Sequence, residues 1–321
     1  MTIISAFATV LALVFIMLNA VSKFSKHIQL VAGDTFKDMI RSLTSNPFRG
    51  TIVGTVFTAL IQSSAATMMM VVSLVDSGVM TFYSSLGVMF GANIGTTLTS
   101  QLVALNVTSI APYVVIIGFL MYAYDWKYKR YGKPVLYFGI VFLSLALISD
   151  VVLNLQTNQS FLSLFESITH TYSAIIFGAL AAIIFQSSTI TSAIVVILAG
   201  QGLLSAPIGI GIMLGANIGS ASTSFIASLF MNHGAKKAAT AHVLYNVIGV
   251  ICIIPFFNHF TTLIALIGGS APQQVANAHV AFNILSALLF LLFIKPFALL
   301  VDWVSEKAYK TMPLTEQKIN F

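Results

Sequence analysis

The chain has 321 residues, of which 58% are hydrophobic and 7% are charged. Soluble domains carry roughly 25% charged residues, so this composition excludes a soluble globular fold and indicates a helical protein that crosses a membrane several times. The formal net charge of +6 could suggest nucleic-acid binding. The basic residues instead cluster between long apolar runs, which predicts cytoplasmic loops and no nucleic-acid partner.

Residues 1–49 predict one membrane helix followed by a cytoplasmic amphipathic segment. An apolar run covers residues 2–21, with no basic residue before it and no clear cleavage site. We therefore expect a retained first helix and not a signal peptide. A surface helix is predicted at 35–43, and a second one at 161–171.

The rest of the chain divides into two repeats and a final span. Gln62-Ser63-Ser64 recurs as Gln186-Ser187-Ser188, and Gly-Ala-Asn-Ile-Gly at 91–95 recurs at 215–219, both at an offset of 124 residues. Repeat 1 is predicted at 50–155, with a hairpin at 51–77, a broken helix at 81–105 and two further spans. Repeat 2 is predicted at 156–257, with a hairpin at 174–200, a broken helix at 205–230 and one further span. The last span and a cytoplasmic tail occupy 258–321.

Charge decides how the two Gln-Ser-Ser stretches meet the membrane. Each could cross once, or enter and leave on one side as a re-entrant hairpin whose arms, about 18 Å long, cannot cross ~30 Å of hydrocarbon. Hairpins give seven full crossings and put all 15 Lys and Arg residues at the cytoplasmic side. The positive-inside rule favours that arrangement. It places the N-terminus outside, the C-terminus inside, and the two repeats in inverted topology.

The two Gly-Ala-Asn-Ile-Gly motifs allow two interpretations. Glycines four residues apart are common where helices pack closely, and they also weaken an apolar helix at its midpoint. Because the motif occurs twice at the same distance after Gln-Ser-Ser, we favour broken helices whose freed backbone groups face a cavity.

Such a site suits a small anion together with a cation. Helix N-termini attract anions, and hydroxyl and amide oxygens are ligands for hard cations. The hairpin cores and broken helices contain no Lys or Arg. Helix dipoles and co-bound cations would therefore have to compensate the charge of the anion, which gives a physical reason for coupled transport.

A third motif completes a family resemblance. Ala-His-Val-Leu-Tyr-Asn at 241–246 recurs as Ala-His-Val-Ala-Phe-Asn at 278–283. With the two pairs above, it makes the chain similar to the type II sodium/phosphate cotransporter family, in its short bacterial form without a PhoU-like domain. The resemblance implies an all-α polytopic membrane protein with two inverted-topology repeats, each holding a re-entrant hairpin and a broken transmembrane helix.

The resemblance also implies the binding residues. Sodium is expected at the two Gln-Ser-Ser motifs, which also contribute to the phosphate site: Gln62, Ser63, Ser64, Gln186, Ser187 and Ser188. Hydroxyl and amide residues close to these motifs complete the expected substrate and ion site: Thr67, Asn93, Thr96, Thr97, Thr189, Thr191, Asn217, Ser220 and Thr223. The second copy departs from the family pattern at Thr189 and Ala221, so the two halves are not expected to bind ions equally.

The expected function is sodium-coupled symport of inorganic phosphate across the plasma membrane by alternating access. The expected partners are phosphate, sodium and the lipid bilayer, with a homodimer as one assembly the chain could form; sodium serves as coupling ion and no other cofactor is implied. Symport of sulfate or a dicarboxylate, and a phosphate-exporting channel or pore, stay open as alternatives. Nothing in the sequence resembles a nucleophile elbow or an H-E-x-x-H motif, so we expect no enzyme activity and no catalytic residues.

Two histidines and one cysteine have competing interpretations. His242 and His279 each precede an Asn by four residues, so each pair shares a helix face. They could couple protons or contact the anion, but we favour rings bonded to backbone carbonyls inside the bundle. The single cysteine, Cys252, is expected to be a small core residue.

Overall fold

The computed structural model describes residues 3–43, 46–124, 127–156, 158–166 and 170–310, and every extended regular element within these ranges is helical. The helices are α1 (Ile3–Leu43), α2 (Pro47–Ile61), α3 (Ser64–Asp76), α4 (Phe82–Ala104), α5 (Ala111–Ala123), α6 (Lys129–Leu155), α7 (Gln159–Glu166), α8 (Thr171–Phe185), α9 (Ser188–Gly200), α10 (Ala206–Ser228), α11 (His233–Ile253), α12 (Phe257–Ile267), α13 (Ala271–Leu292) and α14 (Ile294–Lys310). Short 3₁₀ turns precede α5 and α12. The end of the predicted cytoplasmic tail, 311–321, lies outside the described residues.

Five helical stretches in the described residues are long and apolar enough to cross a membrane, which makes the chain a multi-pass membrane protein. They are Ile4–Val31, Lys129–Leu155, Ala206–Ser228, His233–Ile267 and Ala271–Leu292. A sixth is obtained if α4 and the helix that follows it, bent by 73° to each other, count as one span. The prediction of seven spans treated these two as separate crossings, but α5 has 13 residues and is about 20 Å long. Which terminus lies outside stays a prediction.

The first helix is longer than predicted. It continues without a break to Leu43, so residues 35–43 extend α1 and do not form a separate surface helix. No proline interrupts this stretch, and proline is the residue that most strongly ends a helix. The second predicted surface helix corresponds to α7, which begins at Gln159; residues 167–169 lie outside the described part of the chain.

A three-helix unit occurs twice. The helices α2, α3 and α4 have 15, 13 and 23 residues, and α8, α9 and α10 have the same three lengths. Each helix of the second unit begins at the residue 124 positions after its counterpart. The short members of each unit are about 20–23 Å long, less than the ~30 Å of a bilayer core. Their entry as re-entrant hairpins and the inverted orientation of the two units stay predictions.

The prediction of broken helices at the Gly-Ala-Asn-Ile-Gly motifs is wrong. Both α4 and α10 run through the motif as continuous α-helices. The glycines instead let the helix of the same unit approach closely: a Cβ at Gly91 would lie 1.9 Å from the backbone oxygen of Thr51, and one at Gly215 would lie 1.8 Å from that of Ile175. The packing interpretation, which two occurrences of the motif argued against, is the correct one. Its recurrence reflects the same helix contact made twice.

Three of the remaining helices pack against α4 of the first unit through aromatic side chains. Phe90 on α4 packs against Tyr245 on α11, with ring centroids 5.0 Å apart, and Tyr245 packs against Phe290 on α13 at 4.9 Å. Phe297 on α14 closes this aromatic cluster. Cys252, expected in the core, is exposed on α11, so this small apolar side chain faces outward among other apolar residues.

We expect Gly91→Ala and Gly215→Ala to lower the thermal unfolding temperature of the purified protein in detergent. Each added methyl group would force a backbone carbonyl away, and overpacking of this kind costs about 1–3 kcal/mol. Gly200→Ala is the matched control, because its Cβ would meet the Pro272 side chain at 3.4 Å, which is ordinary contact. Equal unfolding temperatures for Gly91→Ala, Gly215→Ala and Gly200→Ala would contradict the close approach.

Candidate functional site

Both Gln-Ser-Ser motifs interrupt a helix in the same way. Gln62 ends α2 with φ 57° and ψ 26°, and Gln186 ends α8 with φ 50° and ψ 31°. This left-handed conformation is uncommon for a residue other than glycine, and at a helix end it turns the chain out of the helix. The next helix begins two residues later in both units, at Ser64 and at Ser188.

The serine that follows each glutamine caps the next helix. The hydroxyl oxygen of Ser63 accepts a hydrogen bond from the Ala66 amide at 3.2 Å, and that of Ser187 accepts from the Ile190 amide at 3.2 Å. The hydroxyl protons of both serines stay available for another acceptor. The N-termini of α3 and α9 each present amides without intrahelical partners and a partial positive charge.

The two interrupted helices meet at one cavity. Its volume is about 460 Å³, and its walls come from the two Gln-Ser-Ser breaks, from α10 and from the middle of α1. Seven of the predicted site residues line it: Ser63, Ser64, Gln186, Ser187, Thr189, Ser220 and Thr223. Hydroxyl and amide groups therefore dominate the polar part of the wall.

The other predicted site residues are buried outside the cavity lining, and most of them bond to neighbouring backbone or side chains. Thr67 and Thr191 donate to the carbonyl oxygens of Ser63 and Ser187 at 3.1 and 2.9 Å. Thr96 and Thr97 donate to backbone carbonyls within α4, as does the amide of Asn93. The members of the predicted set outside the cavity lining are Gln62, Thr67, Asn93, Thr96, Thr97, Ser188, Thr191 and Asn217.

Sequence reasoning missed the contribution of α1. Ser22, Ser25, Lys26 and Gln29 line the cavity opposite the Gln-Ser-Ser breaks. Their spacing of three, four and seven residues after Ser22 places them on one helix face, and this polar stripe directly after the apolar run 2–21 was visible in the sequence. Lys26 brings a positive charge to the wall, a group that the expectation of compensation by dipoles and co-bound cations did not include.

The two halves of the site are not equivalent. The Thr99 hydroxyl donates to the side-chain oxygen of Gln62, whose amide donates to Ala59 O at 2.5 Å. Thr223 is the residue 124 positions after Thr99, yet its hydroxyl is buried without a hydrogen-bond partner and Gln186 is exposed. The Gln–Thr contact is thus made in the first unit and open in the second.

The two buried histidines bond to equivalent serines. His279 Nδ1 lies 3.0 Å from the Ser100 hydroxyl, and His242 Nδ1 lies 2.9 Å from the Ser224 hydroxyl. The expectation of backbone carbonyl partners is therefore wrong. The serine hydroxyls reach the rings because α4 and α10 pack against α13 and α11. His279 Nε2 also lies 3.3 Å from Asn217 Oδ1, whereas His242 Nε2 is buried without a partner among the described residues.

The profile of the Na+/Pi-cotransporter family matches residues 16–150 and 152–293, which include both units and the cavity. The chain belongs to this family. The Gln-Ser-Ser breaks, the glycine-packed helices and the histidine pairs all fall within the matched ranges.

Relatives of this Na+/Pi-cotransporter family member have differing names. A Bacillus subtilis (strain 168) protein named "Uncharacterized protein YqeW" is 28% identical over 82% of this chain and 87% of its own length. "Putative inorganic phosphate export protein YjbB" of Escherichia coli (strain K12) is 28% identical over 63% of this chain and 38% of its own length. "Sodium-dependent phosphate transport protein 2A" of Mus musculus is 38% identical over 30% of this chain and 15% of its own length. No solved structure matches the chain.

We expect Thr99→Val to destabilise the protein and Thr223→Val to leave its stability nearly unchanged. Removing the Thr99 hydroxyl leaves the buried Gln62 oxygen unpartnered, which costs about 1–3 kcal/mol, whereas the Thr223 hydroxyl has no partner to lose. Thermal unfolding of both variants in detergent, without phosphate or sodium, measures the difference. An equal effect on unfolding temperature would contradict the asymmetry of the two halves.

Proposed function

We propose that the chain is a sodium-coupled symporter of inorganic phosphate that works by alternating access across the plasma membrane. Two findings support this proposal: the matching family is described as Na+/Pi-cotransporter, and one relative is named as a sodium-dependent phosphate transport protein. The single observation that carries the assignment of the site is the meeting of two serine-capped helix N-termini at one polar cavity.

The chemistry of the wall suits phosphate. Helix N-termini bind phosphate through amide donors and the helix dipole. Ser63 and Ser187 accept from helix amides, so their protons are free to donate to phosphate oxygens. Ser64 and Thr189 are the first residues after each capping position to add hydroxyl groups to the lining.

The same wall offers ligands for sodium. Hydroxyl and amide oxygens are hard neutral donors, and Gln186, Ser220 and Thr223 supply them on the side of the second unit. Gln62 and Ser188 are buried outside the lining. If Gln62 and Ser188 bind sodium, as we propose, the ion would lie outside the cavity. Ser63, Ser64 and Ser187 would then lie between this ion and the cavity.

The open Gln186–Thr223 pair suggests how the site closes. In the first unit Gln62 and Thr99 are bonded and Gln62 is buried. In the second unit Gln186 is exposed, and Gln186 and Thr223 both belong to the residues that line the cavity. We take the second unit to be the open half, and closure to bring Gln186 and Thr223 to a contact like that of Gln62 and Thr99. Alternating access then exchanges which unit holds the contact.

Labelled phosphate uptake into proteoliposomes, with and without an inward sodium gradient, tests the proposal. We expect sodium-dependent, saturable uptake that falls about tenfold or more in Gln186→Ala and Ser187→Ala, because a hydrogen bond to a charged group is worth about 1.5–3 kcal/mol and each 1.4 kcal/mol is about tenfold. Ser163→Ala on α7, an exposed serine outside the cavity lining, is the control. Phosphate uptake of equal rate without a sodium gradient, or unchanged uptake in both Gln186→Ala and Ser187→Ala, would contradict the proposal.

The Thr223→Val variant adds a sharper expectation. Since Thr223 lines the cavity and its buried hydroxyl has no hydrogen-bond partner among the described residues, the variant should keep its thermal stability and lose several-fold in sodium-dependent uptake. A variant with normal uptake would exclude Thr223 from binding and from closure.

Phosphate export is a second candidate, favoured by the name of the Escherichia coli relative. Cells loaded with labelled phosphate and expressing the chain would then release it faster than cells with the Ser187→Ala variant, whether or not sodium is present outside. Release that requires an outward sodium gradient would favour the symporter running in reverse.

A further inference from the structure

The polar stripe on α1 reaches the cavity from outside the repeated units. Ser22, Ser25, Lys26 and Gln29 share one face of this helix, and all four line the wall. Gln29 Nε2 donates to the Ser25 hydroxyl oxygen at 3.1 Å, which leaves the proton of that hydroxyl for another acceptor.

Lys26 differs from the rest of the wall in its charge. Among the described residues that line the cavity, it is the only one with a charged side chain. In the described part of the chain no carboxylate lies within 4.0 Å of its ammonium group. The side chain is exposed.

An ordinary solvated lysine is the alternative, and the same helix provides one. Lys23 is exposed like Lys26 but lies outside the cavity lining. A lysine near the end of a membrane helix can also extend toward the headgroups and hold anionic lipid. Lys23 and Lys26 carry the same charge and lie within one helical turn of each other. Of these two lysines, only Lys26 lines the cavity.

We propose that Lys26 is an anion-contacting residue that sets the affinity of the cavity for a tetrahedral phosphate group. This rests on the proposed phosphate site between the two Gln-Ser-Ser breaks. The ammonium group supplies three donors and a full positive charge, which complement the amide donors of α3 and α9 and the hydroxyls of Ser63 and Ser187. The positive charge also reduces how much of the anion's charge co-bound cations must neutralise.

Phosphate uptake measured at saturating sodium and varied phosphate tests this. Lys26→Gln should raise the KM for phosphate about five- to twentyfold with a nearly unchanged maximal rate, since an exposed charge–charge contact and a charged hydrogen bond together are worth about 1–2 kcal/mol. Lys26→Arg keeps the charge and should restore most of the affinity. Lys23→Gln is the matched control and should behave as the unaltered chain.

Two further arms separate the sources of the effect. Liposomes of phosphatidylcholine alone and with phosphatidylglycerol distinguish phosphate in the cavity from anionic headgroups: a KM change of equal size in both supports the proposal, and one confined to anionic liposomes overturns it. The recovered fraction of monodisperse protein checks that each variant folds. If Lys26→Gln does not fold, the KM for phosphate is measured instead for Lys26→Met, which also removes the charge, and is compared with the KM of Lys26→Arg.

The outcomes distinguish this proposal from the one it rests on. If the unaltered chain shows no phosphate transport, the proposed function fails. If the unaltered chain transports phosphate and Lys26→Gln has the same KM, or if Lys23→Gln shows the same change, only the role of Lys26 is overturned. A fall in maximal rate with unchanged KM would likewise exclude Lys26 as an anion contact.

Discussion

The site depends on interrupting two helices inside an apolar environment without leaving their backbone groups unsatisfied. Unpaired amides and carbonyls are costly away from water, and irregular backbone at membrane depth is tolerated only where protein or a cavity covers it. Here a left-handed glutamine ends one helix, and a serine caps the next. The first amides of α3 and α9 have no intrahelical partner, and the proposed anion site makes use of them.

Close helix packing keeps the interruptions in place. The interrupted helices α2 and α8 press their backbone carbonyls against glycines of α4 and α10, at distances that no side chain would permit. Each continuous helix thus acts as a rigid support for a broken one. The Thr99 hydroxyl then reaches Gln62 from α4, which shows how the support also positions the residue at the break.

The sequence predicted the position of the breaks and of most cavity-lining residues in the two units, because the Gln-Ser-Ser motifs recur at one offset and each polar tip stands out in an apolar run. The prediction from the glycines of the two Gly-Ala-Asn-Ile-Gly motifs, that the helices break there, was wrong. A glycine pair weakens a helix and also permits close packing. The sequence alone does not show that another helix packs directly against Gly91. Lys26 was missed for a different reason: it was counted as a loop charge, although its spacing from Ser22 and Ser25 marks one helix face.

Equivalent polar residues of the two units make different hydrogen bonds. The first unit holds the bonded Gln62–Thr99 pair and the second the open Gln186–Thr223 pair. The histidine contacts differ as well. His279 Nε2 lies within hydrogen-bond distance of Asn217 in the second unit. Asn93, the counterpart of Asn217 in the first unit, bonds only within α4, and His242 Nε2 has no partner among the described residues. Two units with the same helix lengths thus differ in their polar contacts.

Such a difference does not require different sequences. Thr99 and Thr223 are the same residue type, as are Asn93 and Asn217, so the residues themselves allow either unit to take either state. A buried hydroxyl without a partner raises the free energy of the open unit, and a bound ligand or a return to the bonded contact would lower it. In the proposed mechanism, the polar groups of the second unit are those that a ligand would satisfy, and the bonded contact of the first unit is the arrangement into which the second unit would pass.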